Sequence, residues 1–583
     1  MVAAEANTLA GGASLGRVSV ADAWRARRAA QLGMCLFVGD IRGDLVRVTM
    51  ARVRGRVGRR PAAPKGRRWV WWLIVAVIVA TAFTARLLYL LHTGGLLQAR
   101  NYDDGVYYAA TDAFVHGRLP YRDFLLLQPP GVIFAAAPAA WLGSLVGDPV
   151  GLITGRLLFI AAGAVNAGLV AVILRRFGYA AAAFGGFFYA LDFMAIYTER
   201  SLLLEPFGTL CILVGLALQG RVSHSDAPPG TKAAGVDRAG VVSTGWASWL
   251  RAPERWLVIA GIVLGFSTSF RIWNIVPAVV IVLFTRGARR RVRLLVGVVV
   301  GALVCYLPFF VFAPSTMFRE IVTDQMGRPR VHQSILHKLH IILGDAITPG
   351  FGLSTRKLIY VLLVLAILAV VVALAVRDSR LYVALFFSGL AVLLLSPSFF
   401  PHYTALTNPA LALILGVAFG RLCALLRPRA GRVALTVVAI AGILVVYLPA
   451  ELRGAQPAPP ARGLQAAAAS VDGCVLADDP TILAVMNVLS RDLKAGCPLW
   501  PDVTGWTYDA DKVTEDGVAV ARAKNAVWQK AAVDYLLSGS AVIQYRAGTG
   551  LDAASAAEIR RGRVLFHDGI WTLYATPQPA VER

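Results

Sequence analysis

Runs of about 20 apolar residues recur between residues 69 and 450, each closed by arginine or by a polar turn. That is the length a helix needs to cross a bilayer. The pattern predicts an α-helical polytopic membrane protein. Its spans fall at 69–92, 151–174, 179–197, 202–219, 256–271, 274–286, 293–313, 358–376, 380–396, 403–426 and 433–450, about 11 transmembrane helices. A further apolar run, 130–146, is short and flanked by proline. If it crossed, Arg175-Arg176 would lie outside and every later basic cluster would be inverted. Laid in the outer interface, it leaves Arg175-Arg176, Arg221–Arg255, Arg286–Arg293, Arg377–Arg380 and Arg427–Arg432 inside, as the positive-inside rule requires. Beyond residue 450 the pattern turns to that of ordinary soluble sequence. Residues 475–477 and 541–545 read as strands, 481–493 and 518–535 as helices. The runs 564–567 and 571–574 flank Asp568-Gly569, a hairpin signal. A small α/β domain is therefore expected over 451–583, after a transmembrane domain over 69–450.

Composition agrees: 57% of residues are hydrophobic and mean hydropathy is +0.62, above what a soluble globule carries. The net charge of +24 does not indicate nucleic acid, because the arginines stand at the ends of apolar runs. That placement reports membrane orientation and anionic lipid. Residues 1–68 hold 14 Arg and Lys against 4 Asp and Glu, and read as a basic, disordered cytoplasmic segment. No apolar region lies near the start, so no cleavable signal peptide is expected. With the N-terminus cytoplasmic in a plasma (inner) membrane, an odd number of spans places the C-terminal domain outside. Cys474 and Cys497 then lie on the oxidising side, as a candidate disulfide. Cys35, Cys211, Cys305 and Cys423 have no metal-ligand spacing.

The stretch Asn101–Gly131, NYDDGVYYAATDAFVHGRLPYRDFLLLQPPG, follows the first span on the outside. It carries Asp103, Asp104, Asp112 and Asp123 in a chain that is otherwise mostly hydrocarbon. Acids beside a membrane are costly to hold and call for a functional reason. Three more outside segments follow from the topology: the 198–206 turn with Glu199, Arg200 and Glu205, the 313–357 loop, and the 396–404 turn. The 313–357 loop is basic although outside, holding Arg319, Arg328, Arg330, Lys338, Arg356 and Lys357. A phosphate-binding role would explain that.

Asp103-Asp104 with Tyr107-Tyr108, then Gly117, Pro120-Tyr121-Arg122-Asp123 and Pro129-Pro130-Gly131, resemble the GT-C glycosyltransferases of the protein-mannosyltransferase and aminoarabinose-transferase type. The likeness covers about 70–450. The family usually has Asp-Glu at the pair, where this chain has Asp-Asp. Arg156 matches a recurring family Arg, Glu205 stands where relatives place a second acid, and Arg271 falls near a position often held by Lys. Pro401-His402-Tyr403 is a looser match. The resemblance implies a membrane transferase that moves a sugar from a polyprenyl-phosphate donor to an envelope glycan, lipid or protein acceptor outside the cytoplasm.

Such a transfer needs a base for the acceptor hydroxyl and cations for the departing phosphate. Asp103 is the expected base. Asp104 and Glu205 would position the acceptor or a divalent cation, the one candidate cofactor. Arg156, Arg271 and Arg356 are candidates for the phosphate, and Arg122, His402 and Tyr403 for further substrate contacts. Plainer readings stand beside these. Arg156 and Arg271 could snorkel to the interface, His402 and Tyr403 could anchor at headgroups, and Glu199 and Arg200 could pair locally. Trp500, Trp506, Trp528 and Trp571 suit either sugar stacking or core packing. A transporter would instead show acids within spans and repeated halves, and a non-catalytic lipid- or glycan-binding protein would bind without turnover.

Overall fold

A computed structural model describes residues 68–99, 101–223, 255–328, 333–344, 355–396, 398–451, 462–508, 514–515, 518–546 and 549–577. The expectations placed on 1–67, on most of the 221–255 loop and on the Arg356 side chain lie outside the described residues.

Each expected span falls on a helix, 179–197 on two, and further helices lie outside the expected spans. In chain order the helices are α1 (Arg68–His92), α2 (Tyr102–Val115), α3 (Gly131–Val146), α4 (Asp148–Leu174), α5 (Tyr179–Leu191), α6 (Phe193–Glu199), α7 (Glu205–Ser223) and α8 (Arg255–Ser267). There follow α9 (Ile275–Phe284), α10 (Ala288–Phe310), α11 (Ile335–Gly344), α12 (Thr355–Ala375), α13 (Arg380–Leu395), α14 (Asn408–Leu425) and α15 (Arg429–Glu451). Among the described residues, five helices are long and apolar enough to cross a membrane: Arg68–His92, Asp148–Phe177, Ala288–Phe310, Arg377–Leu395 and Asn408–Leu425. The α5–α6 pair, bent by 58°, makes a sixth if taken as one span. The bend falls at Asp192, whose carboxylate accepts from the Ala195 amide and caps α6. Helix α3 exposes Trp141, Leu145 and Val146. Glycines let two helices meet closely: a Cβ on Gly261 would stand 2.1 Å from the Leu294 carbonyl oxygen, and one on Gly297 2.3 Å from that of Val258. Such small-residue faces are how helices approach where no water drives them together. The α8–α10 contact holds the chain that turns out at Arg271.

The residues after 462 form an α/β unit. A four-stranded sheet runs in the order β1 (Val475–Ala477), β4 (Ala541–Gln544), β6 (Trp571–Ala575), β5 (Val564–Asp568). β1 and β4 are parallel and the other pairs antiparallel. β2 (Thr514–Glu515) and β3 (Val518–Ala519) make a separate small hairpin. The expected helix 481–493 is two, α17 (Pro480–Val485) and α18 (Leu489–Lys494), after the preceding α16 (Arg462–Ala469). Asn487 divides them at φ 60°, a left-handed conformation asparagine tolerates. The expected helix 518–535 is in fact β3 followed by α19 (Ala526–Leu537), which starts where Asn525 accepts from the Trp528 amide. Cys474 and Cys497 are disulfide-bonded. The tryptophans serve packing. Trp500 stacks on Trp506 and Tyr535, Trp528 is fully buried, and Trp571 is buried against Tyr545.

This unit does not stand apart from the membrane helices. One hydrophobic core joins α2, α3 and the 121–127 loop to α16, α17, β1, β4 and β6. Gly105 allows it, since a Cβ there would sit 1.8 Å from Thr481 Oγ1. Polar clasps surround the contact. The Arg118 guanidinium donates to the Cys497 carbonyl, and Ser490 Oγ donates to the carboxylates of Asp112 and Asp148.

Candidate active site

Consecutive residues of a helix point about 100° apart, and at the start of α2 that splits the two aspartates. Asp104 faces inward and is fully buried. It pairs with Arg156 at 2.9 Å and accepts from Ser201 Oγ. Arg156 also donates to the carbonyls of Gln98 (2.8 Å) and Leu96. This ion pair ties α2, α4, the end of the α1–α2 loop and the 201 turn into one support. Asp104 and Arg156, expected to serve acceptor and phosphate, thus engage each other, and neither lines the cavity that holds Asp103.

Asp103 faces the other way, half-buried, into a cavity of about 240 Å³. Several parts of the chain meet there. The α2 start gives Tyr102, Asp103 and Tyr107, the chain after α8 gives Arg271, and the turn before α14 gives Phe400, His402 and Tyr403. Arg328 comes from the long basic loop. From the C-terminal unit come Asp502, Tyr508, Arg522 and Arg546.

The cavity's charges are arranged around Asp103. Burial first, and then the Asp502 carboxylate, push the Asp103 carboxyl up to about 6, against the pull of Arg271, Arg328 and Arg546. The first turn of a helix favours a carboxylate, so Asp103 can still be held charged. Asp502 accepts from the Tyr102 hydroxyl at 3.0 Å and from the Gly505 amide at 2.7 Å, while Tyr102 accepts from the Thr504 amide. The Arg546 guanidinium lies over the Tyr102 ring, 4.0 Å from its centroid.

Arg271 pairs with Glu205 at 2.7 Å and lies over Tyr403, 4.4 Å from the ring centroid. Glu205 thus engages Arg271. His402 packs edge-on against Tyr403, and burial with the nearby Arg271, Arg200 and Arg328 holds its imidazole well below the usual range, so it is neutral. His402 and Tyr403 line the cavity. Nε of Arg271 and Nε of Arg328 are buried without a hydrogen-bond partner among the described residues. Unmet buried donors of that kind fit an anionic ligand.

The remaining expected residues lie elsewhere. Arg122 is at the surface, paired with Asp123 at 2.7 Å, and Asp123 in turn accepts from the Leu119 amide. That closes the 119–124 turn, in which Tyr121 takes φ 68° and donates to the Gln128 carbonyl. Glu199 does not pair with Arg200; it binds Arg86 at 2.6 Å deep among the helices. Asp502, Arg522 and Arg546 were not anticipated, since nothing local marks them in a soluble-looking sequence. Arg328 was foreshadowed only by the basic character of its loop.

Among the described residues no three His, Cys, Asp or Glu side chains come together as a metal set. Asp103 and Asp502 face four arginines in the cavity and Glu205 is engaged by Arg271, so the donor set does not fit a divalent cation.

No protein-family profile matches the chain, and no curated protein matches it in sequence. Solved structures do. ArnT from Cupriavidus metallidurans bound to undecaprenyl phosphate superposes with a TM-score of 0.54 at 16% identity, over 88% of this chain and 98% of that one. The apo form of the same protein gives 0.51 at 16% identity, over 87% and 98%. AglB from Archaeoglobus fulgidus, in complex with an inhibitory peptide and dolichol phosphate, gives 0.49 at 11% identity, over 83% and 70%. The chain has the fold of ArnT.

Proposed function

We propose that this protein is a membrane glycosyltransferase that moves a sugar from a polyprenyl-phosphate donor to an envelope glycan, lipid or protein, outside the cytoplasm. The observation that carries the reading is the pairing, in one cavity, of a half-buried carboxylate at Asp103 with the unmet guanidinium donors of Arg271 and Arg328. The undecaprenyl phosphate bound by ArnT, whose fold is the same, supports the donor class.

In the proposed reaction the acceptor hydroxyl gives its proton to an Asp103 carboxylate oxygen. The freed oxygen forms a bond to the anomeric carbon, and the bond from that carbon to the phosphate oxygen breaks. The electron pair leaves on the polyprenyl phosphate, whose charge Arg271 and Arg328 hold, so no strong acid is needed. Glu205 fixes Arg271, neutral His402 and Tyr403 wall it, and Asp502 keeps Asp103 basic enough to take the proton. Eleven spans, with the N-terminus inside and the C-terminal unit outside, would put this cavity at the outer boundary of the plasma membrane.

Mass spectrometry of lipid-linked sugars and envelope glycans in a deletion strain tests the reading. One polyprenyl-phosphate sugar should accumulate while one glycosyl substituent disappears. Unchanged pools of both would count against a transferase.

A further inference from the structure

A second and larger cavity, about 680 Å³, lies over the outer half of the C-terminal sheet. Its floor is a polar rung. Gln544 of β4 pairs in register with Thr572 of β6, which pairs with His567 of β5. Tyr574, two residues along β6, shares that face by the period of a strand. The alternate residues Trp571 and Leu573 are buried in the core, so this face presents hydroxyl, amide and imidazole groups with no covering layer among the described residues. Arg560 reaches in from beside the rung and donates to Gln544 Oε1 at 3.1 Å. At the other end stand Asp479, Ala99 and Arg546.

Arg546 lines both cavities. Its Nη1 is buried without a hydrogen-bond partner among the described residues, although the guanidinium is fixed over Tyr102. A fixed donor left unmet at the junction of two cavities is what a ligand passing from one to the other would satisfy. The groove is also biased in charge. Arg546 and Arg560 face the single carboxyl of Asp479, which burial pushes up to about 7, so at neutral pH it offsets only part of the two guanidinium charges.

We propose that this groove is the acceptor site, and that the acceptor is an anionic saccharide that lies along the Gln544–Thr572–His567 rung and passes Arg546 to reach Asp103. Hydroxyls meet the rung, and carboxylate or phosphate groups meet Arg560 and Arg546. The inference rests on the transferase reading above.

Calorimetry on the full chain in detergent tests it, with tetragalacturonate as the carboxylate probe, glucose 6-phosphate as the phosphate probe and maltotetraose as the neutral control. At least one charged probe should bind about tenfold or more tighter than maltotetraose; Arg560→Gln should weaken it about tenfold through the loss of one charged contact, and Ile570→Glu about as much by placing a like charge in the groove. Ile570 is an exposed groove residue, so neither variant disturbs the core. Undecaprenyl phosphate, titrated separately, should bind both variants as it binds the parent. Whichever charged probe binds tells carboxylate from phosphate. Equal or tighter binding of maltotetraose, no saccharide binding, or indifference to both substitutions would overturn the groove while leaving the donor cavity standing. Failure of the parent to bind undecaprenyl phosphate would instead overturn the transferase reading.

Discussion

Asp103 and Asp104 are neighbours with opposite fates. Asp104 is neutralised by Arg156 in full burial and serves as a strut. Asp103 is half-buried, has Asp502 beside it and titrates near 6. As a base, Asp103 works only when deprotonated, so transfer should rise with pH through about 6 and flatten above it. An ordinary aspartate would keep the rate flat down to about 4. The pH profile of single-turnover transfer decides between them, and Asp502→Asn, which removes the neighbouring negative charge, should move the limb to lower pH. The sequence made Asp103 legible, because acids in a hydrocarbon chain are conspicuous. It could not show which of two adjacent acids turns inward, nor that Asp502, some 400 residues away in sequence, is tied through Tyr102 to the same site.

Among the elements, the contact between α2 and α17 holds the site together. The strand, hairpin and long-helix pattern was readable from apolar periodicity, and so was the disulfide, from the oxidising compartment the span count implied. The break at Asn487 was not, because it answers a partner rather than the local sequence: Asn487 Oδ1 accepts from the Asp148 amide across the interface. Nor could periodicity tell that Trp500 stacks on Trp506 while Trp528 and Trp571 are buried in the core. Gly105→Ala should force Thr481 and α17 away from α2, since a Cβ meets Thr481 Oγ1 at 1.8 Å. Overpacking of that kind costs about 1–3 kcal/mol. Thermal unfolding should show the loss, and transfer should fall further than stability alone explains, because Asp502 shifts with the C-terminal unit. A variant with parental stability and transfer would show that the contact does not position the site.

For the molecule as a whole, the C-terminal unit completes the candidate site: it supplies Asp502, Arg522 and Arg546 to a cavity whose other walls come from the membrane helices and their loops. That requires both to lie on one side of the membrane. Reporter fusions after Leu97, Pro314 and Ala455 should report outside, and fusions after Arg176, Arg290 and Arg380 inside. An inside signal after Ala455 would separate Asp502 from Asp103 and break the topology. In the proposed reaction Asp103 removes the acceptor proton. That step is tested most directly by the single-turnover rate of sugar transfer from a labelled polyprenyl-phosphate donor in Asp103→Asn, a change that keeps size and shape. The rate should fall about 10²–10⁴-fold, the range a general base contributes, with undecaprenyl phosphate binding retained. Transfer near the parental rate would contradict the assignment.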